Sequence, residues 1–478
     1  MKKGDIIELE IHDFAFGGKG ISRQKTENGD FILFVENTFP GQKVKAKVEN
    51  KKKNYAECKL IEIIHRSSVE KHLPFQEISG APYLFVPIEL QKEKKLESTL
   101  QIFKKIGKIP NIESFFDEWI ASPESYFYRN KMEYSFSCIE HDLETGNDID
   151  DAFALGFKRR GTWWKVESLN RCSGLFDEDF ENNLKNIREF LKNSGLLAWH
   201  PPQKKGFFRH LVVRKSFYSN QLLINLVSSS ESIERFDSKA FVEYLLSLFD
   251  HRIAGILHTI NDDVADRNKI ENGSTKLLYG QDILTEKISD LYFEISMESF
   301  FQTNPKCAEK LYQKAIDYVF ENEFTENDTI MDLFCGTGTI GQLIAKRNSS
   351  AKIIGIDIVE EAIEDAKRNI KRNQLNKQIQ FFSIDVGKFL HEHPEYKDKI
   401  HTLVLDPPRA GIAPKTLQKI ILLQAKNIVY ISCNPATQAR DIDTLQQAGY
   451  QIEKFSLVDQ FPHTGHIESV MKLSWEMS

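Results

Sequence analysis

Beyond residue 290 three apolar runs, Thr329-Ile330-Met331-Asp332-Leu333-Phe334, Lys352-Ile353-Ile354-Gly355-Ile356-Asp357 and His401-Thr402-Leu403-Val404-Leu405-Asp406, alternate with helical stretches. Strands that read as continuous hydrophobic runs are buried on both faces, and strands alternating with helices are the βαβ pattern of a parallel, doubly wound sheet. Each run ends in an acid or a glycine-rich turn. Sheets of this class bind ligands outside the carboxyl ends of their strands, so the polar groups fall where a ligand is expected.

The first of these ends is Asp332-Leu333-Phe334-Cys335-Gly336-Thr337-Gly338, which follows a strand and opens a helix. Its glycines let backbone approach a nucleoside-bearing ligand closely. About 20 residues on, Asp357 ends the next strand, where an acid can accept hydrogen bonds from both ribose hydroxyls. The loop lacks the GxGxxG spacing of a pyrophosphate site, and its form resembles the first motif of class I S-adenosylmethionine-dependent methyltransferases. Asp385, in Phe382-Ser383-Ile384-Asp385-Val386, ends a further strand and is a candidate for the adenine amino group; both acids could equally be helix caps.

Upstream the chain reads differently. Residues 1–63 alternate in period two, as in Asp5-Ile6-Ile7-Glu8-Leu9-Glu10-Ile11, with glycine turns at Phe16-Gly17-Gly18 and Pro40-Gly41. A small β-barrel is expected there. Its Lys43–Lys59 segment holds Lys43, Lys45, Lys47, Lys51, Lys52, Lys53 and Lys59 against Glu49 and Glu57, a basic stripe suited to phosphate or simply a solvated strand face. Glu89 to Gly107 carries the spacing of an amphipathic helix. The middle region is β-rich, and segments such as Tyr126–Phe136, Leu155–Arg160 and Leu211–Lys215 interleave aromatics with Arg and Lys, as surfaces that stack bases and hold phosphates do.

At 478 residues the chain is long enough for two to four domains. No run of about 18 apolar residues is present, and the Met1-Lys2-Lys3-Gly4-Asp5 start lacks a signal peptide's apolar stretch, so no membrane partner and a cytoplasmic location are expected. The six cysteines show neither CxxC nor CxxH pairing, which argues against a disulfide framework and a zinc site. A net charge of -6 means that any RNA contact must come from local patches.

The chemistry sits in the last third. Asp406-Pro407-Pro408-Arg409 superficially resembles amino-methylating enzymes, but their fourth position is an aromatic that stacks on the base, whereas an arginine suits a phosphate or a uracil carbonyl. The next run, Asn427-Ile428-Val429-Tyr430-Ile431-Ser432, delivers Cys433. Carbon 5 of uracil is a poor nucleophile until a thiolate adds to carbon 6, which turns the ring into an enolate. After methyl transfer the carbon 5 proton must leave, so a base is needed. Glu468, in Thr464-Gly465-His466-Ile467-Glu468-Ser469, is the candidate.

Ser432-Cys433-Asn434-Pro435, Asp406-Pro407-Pro408-Arg409, the 332–338 loop and Phe300-Phe301-Gln302-Thr303-Asn304 together resemble the RNA 5-methyluridine methyltransferase family, and the N-terminal barrel resembles the TRAM domain of its ribosomal RNA members. The resemblance implies a Rossmann-like α/β catalytic domain over 89–121 and 289–478, an OB-like TRAM barrel over 1–63, and a β-rich central RNA-binding domain over 64–88 and 122–288. It implies S-adenosyl-L-methionine as cofactor, held by Gln302, Phe334, Gly336, Gly338, Asp357, Asp385 and Asp406. Cys433 would be the nucleophile and Glu468 the proton acceptor. RNA is the implied partner, 23S ribosomal RNA favoured over transfer RNA, with the protein a monomer. Two alternatives are a cytosine-5 methyltransferase, disfavoured because its cysteine usually follows a proline on the strand that here ends in Asp406, and an RNA-binding assembly factor.

One departure stands out. Many members hold a [4Fe–4S] cluster through three cysteines just after the barrel and a fourth in the central domain. Here 72–83 has none, and only Cys172 resembles a ligand. One thiolate cannot hold a cluster that needs four, so no metal is expected, and apolar packing by Leu73, Phe75 and Tyr83 is expected to replace it.

Overall fold

The structure, a computed structural model, describes residues 1–26, 29–263, 273–321, 325 and 328–475. Two compact units emerge: residues 1–87, 124–286 and 294–298 form one, and residues 88–123, 287–293 and 299–478 the other.

The first unit begins with a six-stranded barrel-like sheet in the order Ile6–Glu10, Lys43–Lys51, Tyr55–His65, Gly29–Glu36, Lys19–Thr26, Asp13–Ala15. Period-two alternation sends Leu9, Leu33, Val35, Val44, Ala46, Val48 and Leu60 into one core, as pleated strands require. The same alternation leaves Lys45 and Lys47 exposed, whereas Lys43 pairs with Glu8 at 3.0 Å. A nine-stranded sheet follows, with Lys131–Ser137, Phe208–Lys215 and Leu222–Ser228 at its centre. Helices Glu178–Lys192 and Ser238–Phe249 pack through stacked Phe190 and Tyr244, ring centroids 4.2 Å apart.

The cysteine-free segment after the barrel is held differently from expectation. Phe75 does pack on Tyr126 and Phe127, but Tyr83 turns to the barrel, donating to Gly18 O at 2.8 Å beside Phe14 and Phe39. Polar groups supply the rest. Gln76 donates to Ser168 O and accepts from the backbone N–H of Asn170 and Arg171, at 2.9, 2.9 and 3.2 Å. Buried Glu181 accepts from the Cys172 thiol at 3.2 Å, from Ser173 and from Tyr134. These bonds satisfy a carboxylate that burial would otherwise penalise.

The second unit is an eight-stranded sheet in the order Ile379–Ser383, Lys352–Asp357, Thr329–Leu333, Ile400–Leu405, Asn427–Ser432, Glu468–Trp475, Tyr450–Val458, Phe116–Ile120. The first five strands are parallel, and the strand order reverses between Thr329–Leu333 and Ile400–Leu405. That reversal opens a ligand crevice in folds of this class. Glu468–Trp475 alone runs antiparallel to both neighbours, so it starts at the edge where the parallel strands end.

Candidate functional site

Strand ends place the site residues in a row. Phe334 follows Leu333, Asp357 closes its own strand, Asp406 follows Leu405, and Cys433 follows Ser432. Ser432 pairs with Ser469 in the antiparallel register, and extending that register by one residue sets Cys433 opposite Glu468. The nucleophile and base candidates, 35 positions apart in sequence, thus face each other across one pair of strands.

Asn434 explains the shape of the turn that carries Cys433. Its Oδ1 caps helix Pro435–Gln447 by accepting from Ala436 N, and its Nδ2 donates to Arg409 O at 3.0 Å. One side chain therefore ties the Cys433 turn to the Asp406–Arg409 turn. Cys433 itself is half-buried, whereas Glu468 is buried. Burial pushes the Cys433 thiol up to about 11, Glu468 and Asp406 add to this, and the Arg409 guanidinium opposes it. Burial, then Asp406, holds the Glu468 carboxyl well above the usual range, and desolvation alone pushes Asp406 up to about 7. The pocket favours neutral groups and makes a carboxylate there strongly basic.

The glycine-rich loop is strained in the manner of a binding loop. Phe334, Gly336 and Gly338 take φ of +63°, +52° and +69°. For Phe334 that is a left-handed conformation an L side chain rarely adopts. A Cβ on Gly338 would stand 2.2 Å from the Phe381 ring, while nothing lies within 4 Å of one on Gly336. Asp357 braces the loop: its Oδ2 accepts from Gly336 N and its Oδ1 from Val359 N, both at 2.9 Å. Asp385 is exposed two residues past its strand rather than ending it, and its Oδ1 caps helix Val386–Glu392 through Lys388 N at 2.8 Å. Gln302 accepts from Gln460 at 3.5 Å, and Asn304 caps helix Pro305–Val319 while donating to Gln460 O at 3.0 Å.

Residues 264–475 match the model of the tRNA (Uracil-5-)-methyltransferase family, and residues 1–61 match the TRAM domain. An uncharacterized RNA methyltransferase of Clostridium acetobutylicum is 37% identical over 477 residues, spanning 99% of this chain and 98% of its own. The chain belongs to the TRAM-containing RNA uracil-5-methyltransferase family. A second uncharacterized RNA methyltransferase, from Clostridium tetani, is 36% identical over 478 residues, with 99% of this chain and 98% of that one covered. The fold matches the Pyrococcus abyssi tRNA (uracil-54, C5)-methyltransferase, solved with S-adenosyl-L-homocysteine, at a TM-score of 0.70 and 24% identity, over 98% of this chain and 100% of that one.

As a member of this family the protein is an S-adenosylmethionine-dependent RNA methyltransferase, and its loop edge fits that cofactor. Open space stands over Gly336, and Ile358 and Val359, immediately after Asp357, leave 67% and 48% of their surface exposed. Two large apolar side chains in water beside a loop with an open face suit an adenine ring. Sequence reasoning did not single out Ile358, because an isolated isoleucine at a strand end reads as core; its exposure is what draws attention to it.

Proposed function

We propose that the protein methylates carbon 5 of a uridine in 23S ribosomal RNA through a covalent adduct between Cys433 and carbon 6, with Glu468 as proton acceptor. The observation that carries this reading is the antiparallel register that sets Cys433 opposite Glu468. S-adenosylmethionine, which Gln302, the Phe334, Gly336 and Gly338 loop, Asp357, Asp385 and Asp406 would hold, would supply an electrophilic methyl group to carbon 5 and leave as S-adenosylhomocysteine. The Cys433 sulfur adds to carbon 6, and the ring's electrons make carbon 5 nucleophilic. Glu468, whose buried carboxylate has a high proton affinity, then removes the carbon 5 proton, and the electron pair expels the thiolate. A target in folded RNA must first leave its stack, at a cost of a few kcal/mol.

The barrel supports ribosomal RNA. A transfer RNA substrate is the second reading, favoured because the Pyrococcus abyssi tRNA enzyme aligns over 98% of this chain, barrel included. Since 72–83 contains no cysteine, no [4Fe–4S] cluster is proposed; a purified protein with broad brown absorbance and stoichiometric iron would overturn that. The function is tested with labelled S-adenosylmethionine on ribosomal and transfer RNA from cells lacking the gene, followed by nucleoside analysis. Label in 5-methyluridine of large-subunit RNA is expected. Label only in transfer RNA keeps the chemistry and overturns the substrate, and loss of label with Cys433→Ala at unchanged RNA affinity separates catalysis from binding.

A further inference from the structure

A cavity of about 580 Å³ opens in the first unit, between barrel strand Tyr55–His65, the irregular 66–79 segment and the 159–171 stretch of the central sheet. Its volume lies within the ~300–1,000 Å³ of small-ligand clefts. None of the residues in the uracil-methylating set contributes to it.

Its charge is unevenly compensated. Arg66 is held by Glu70 at 2.7 Å and by Glu77, and it also lies over the Phe85 ring. Arg160, mostly buried, lies 3.9 Å from Glu77 and also feels the Glu167 charge, and among the described residues its buried Nε has no hydrogen-bond partner. An unsatisfied buried N–H is costly, so the Arg160 guanidinium is incompletely compensated within the protein. Lys71 and Arg171 also line the cavity, are exposed, and engage no carboxylate within 4 Å among the described residues. Glu167 and Glu62 are the remaining acids on the wall. Five cations, Arg66, Lys71, Arg159, Arg160 and Arg171, thus meet four acids, which leaves a positive excess for an anion beside an apolar floor of Leu73, Phe75 and Phe85.

The walls are preformed. Gln76 clamps the 66–79 segment to Ser168, Asn170 and Arg171, and Ser79 donates to Lys158 O at 3.0 Å. The turn that supplies Arg159 and Arg160 also carries Trp163, 54% exposed. Cations, apolar floor and an exposed indole on one turn are the parts of a single-stranded RNA site, in which phosphates meet Arg and Lys while bases meet apolar and aromatic surface.

We infer that this cavity takes a nucleotide of the RNA substrate outside the reacting uridine, its phosphate on Arg160, Arg171 and Lys71 and its base on the apolar floor. The inference rests on the chain's being an RNA modifier, and it is tested by binding alone, so that a failure of methyl transfer and a failure of this site are read separately. The probe is a fluorescein-labelled oligouridine of ~16 nucleotides, and the protein is the full chain bearing Cys433→Ala. Lys71→Glu with Arg171→Glu, both on exposed side chains, is expected to weaken binding ~10-fold or more at ~0.1 M salt and to lower the salt slope by about 0.7, the share of the one phosphate no longer neutralised on a single strand. Arg160→Gln is expected to weaken binding with S-adenosylhomocysteine affinity unchanged, which reports an intact catalytic unit. RNA affinity and salt slope both unchanged in the Lys71 and Arg171 double variant would overturn the site. Equal affinity for uridine 5′-monophosphate and the oligonucleotide would overturn RNA as its occupant in favour of a free nucleotide.

Discussion

Lys95 Nζ donates to Asp459 Oδ1 at 2.6 Å, and both side chains are buried, with 2% and 4% exposure. The same ammonium donates to Phe461 O, and on the preceding turn of helix Ile88–Lys105 Gln91 accepts from His463 N at 2.8 Å. The helix therefore fixes the turn that leads into Glu468. Removing one partner of a buried pair strands the other charge, so Lys95→Met is expected to destabilise by about 3–5 kcal/mol, measured by denaturant unfolding.

Gln91→Leu is the milder probe of the same turn. It deprives the buried His463 N–H of its acceptor, at about 1–3 kcal/mol, and removes the 3.1 Å contact between the Gln91 amide nitrogen and His463 Nδ1. The variant should fold and bind S-adenosylhomocysteine normally while kcat drops ~10-fold or more, because small displacements of a catalytic group are costly. Single-turnover rates at saturating RNA check this, and an unchanged kcat would mean that the turn does not position the base.

Glu468→Gln keeps the shape of the side chain and removes its ability to take a proton. In the proposed mechanism adduct formation and methyl transfer precede that proton's departure, so the variant should accumulate protein covalently joined to methylated RNA. A band of retarded mobility on a denaturing gel, absent with Cys433→Ala, is the expected result. Free 5-methyluridine product released at the native rate would remove Glu468 from the role.

How far the sequence reached can be seen at this pair. The parallel strands were legible because both their faces are buried, which writes them as unbroken apolar runs, and their acid endings marked the ligand edge. Cys433 was legible from its place after such a run. What no local pattern could show is that Glu468–Trp475 inserts antiparallel beside Asn427–Ser432, because pairing partners are chosen by tertiary packing. Lys95 and Asp459, 364 positions apart, were invisible for the same reason. The 72–83 stretch was expected to be held by apolar packing of Leu73, Phe75 and Tyr83, yet Gln76 also anchors it, since a polar residue's partners cannot be read from its own neighbourhood.

Arg409 supplies the charge that opposes the upward shift of the Cys433 thiol. Its removal raises the proton affinity of the thiol, so in Arg409→Gln the alkaline rise of kcat moves to higher pH. At saturating RNA the variant should be slower than the native protein near neutrality and approach it in strongly alkaline buffer. A uniform loss at every pH would assign Arg409 to RNA contact instead of thiolate stabilisation.

Asp332 couples the site to stability. It is fully buried within strand Thr329–Leu333, its Oδ2 accepts from Gly341 N at 3.1 Å, and among the described residues its Oδ1 has no partner. Burial, followed by the Asp406 charge, pushes it up to about 8. Unfolded, the same group titrates near ~3.9. Between about pH 4 and 8 the native state therefore holds a proton that the unfolded chain has released, and the free energy of unfolding falls as pH rises across that window. Asp332→Asn removes this contribution while keeping an oxygen for Gly341. Its melting temperature should fall less from about pH 5 to about pH 8 than that of the native protein, with the residual slope left by Asp406 and Glu468. Thermal melts across that range measure it, and parallel curves for the two proteins would show that Asp332 is ionised in the fold throughout.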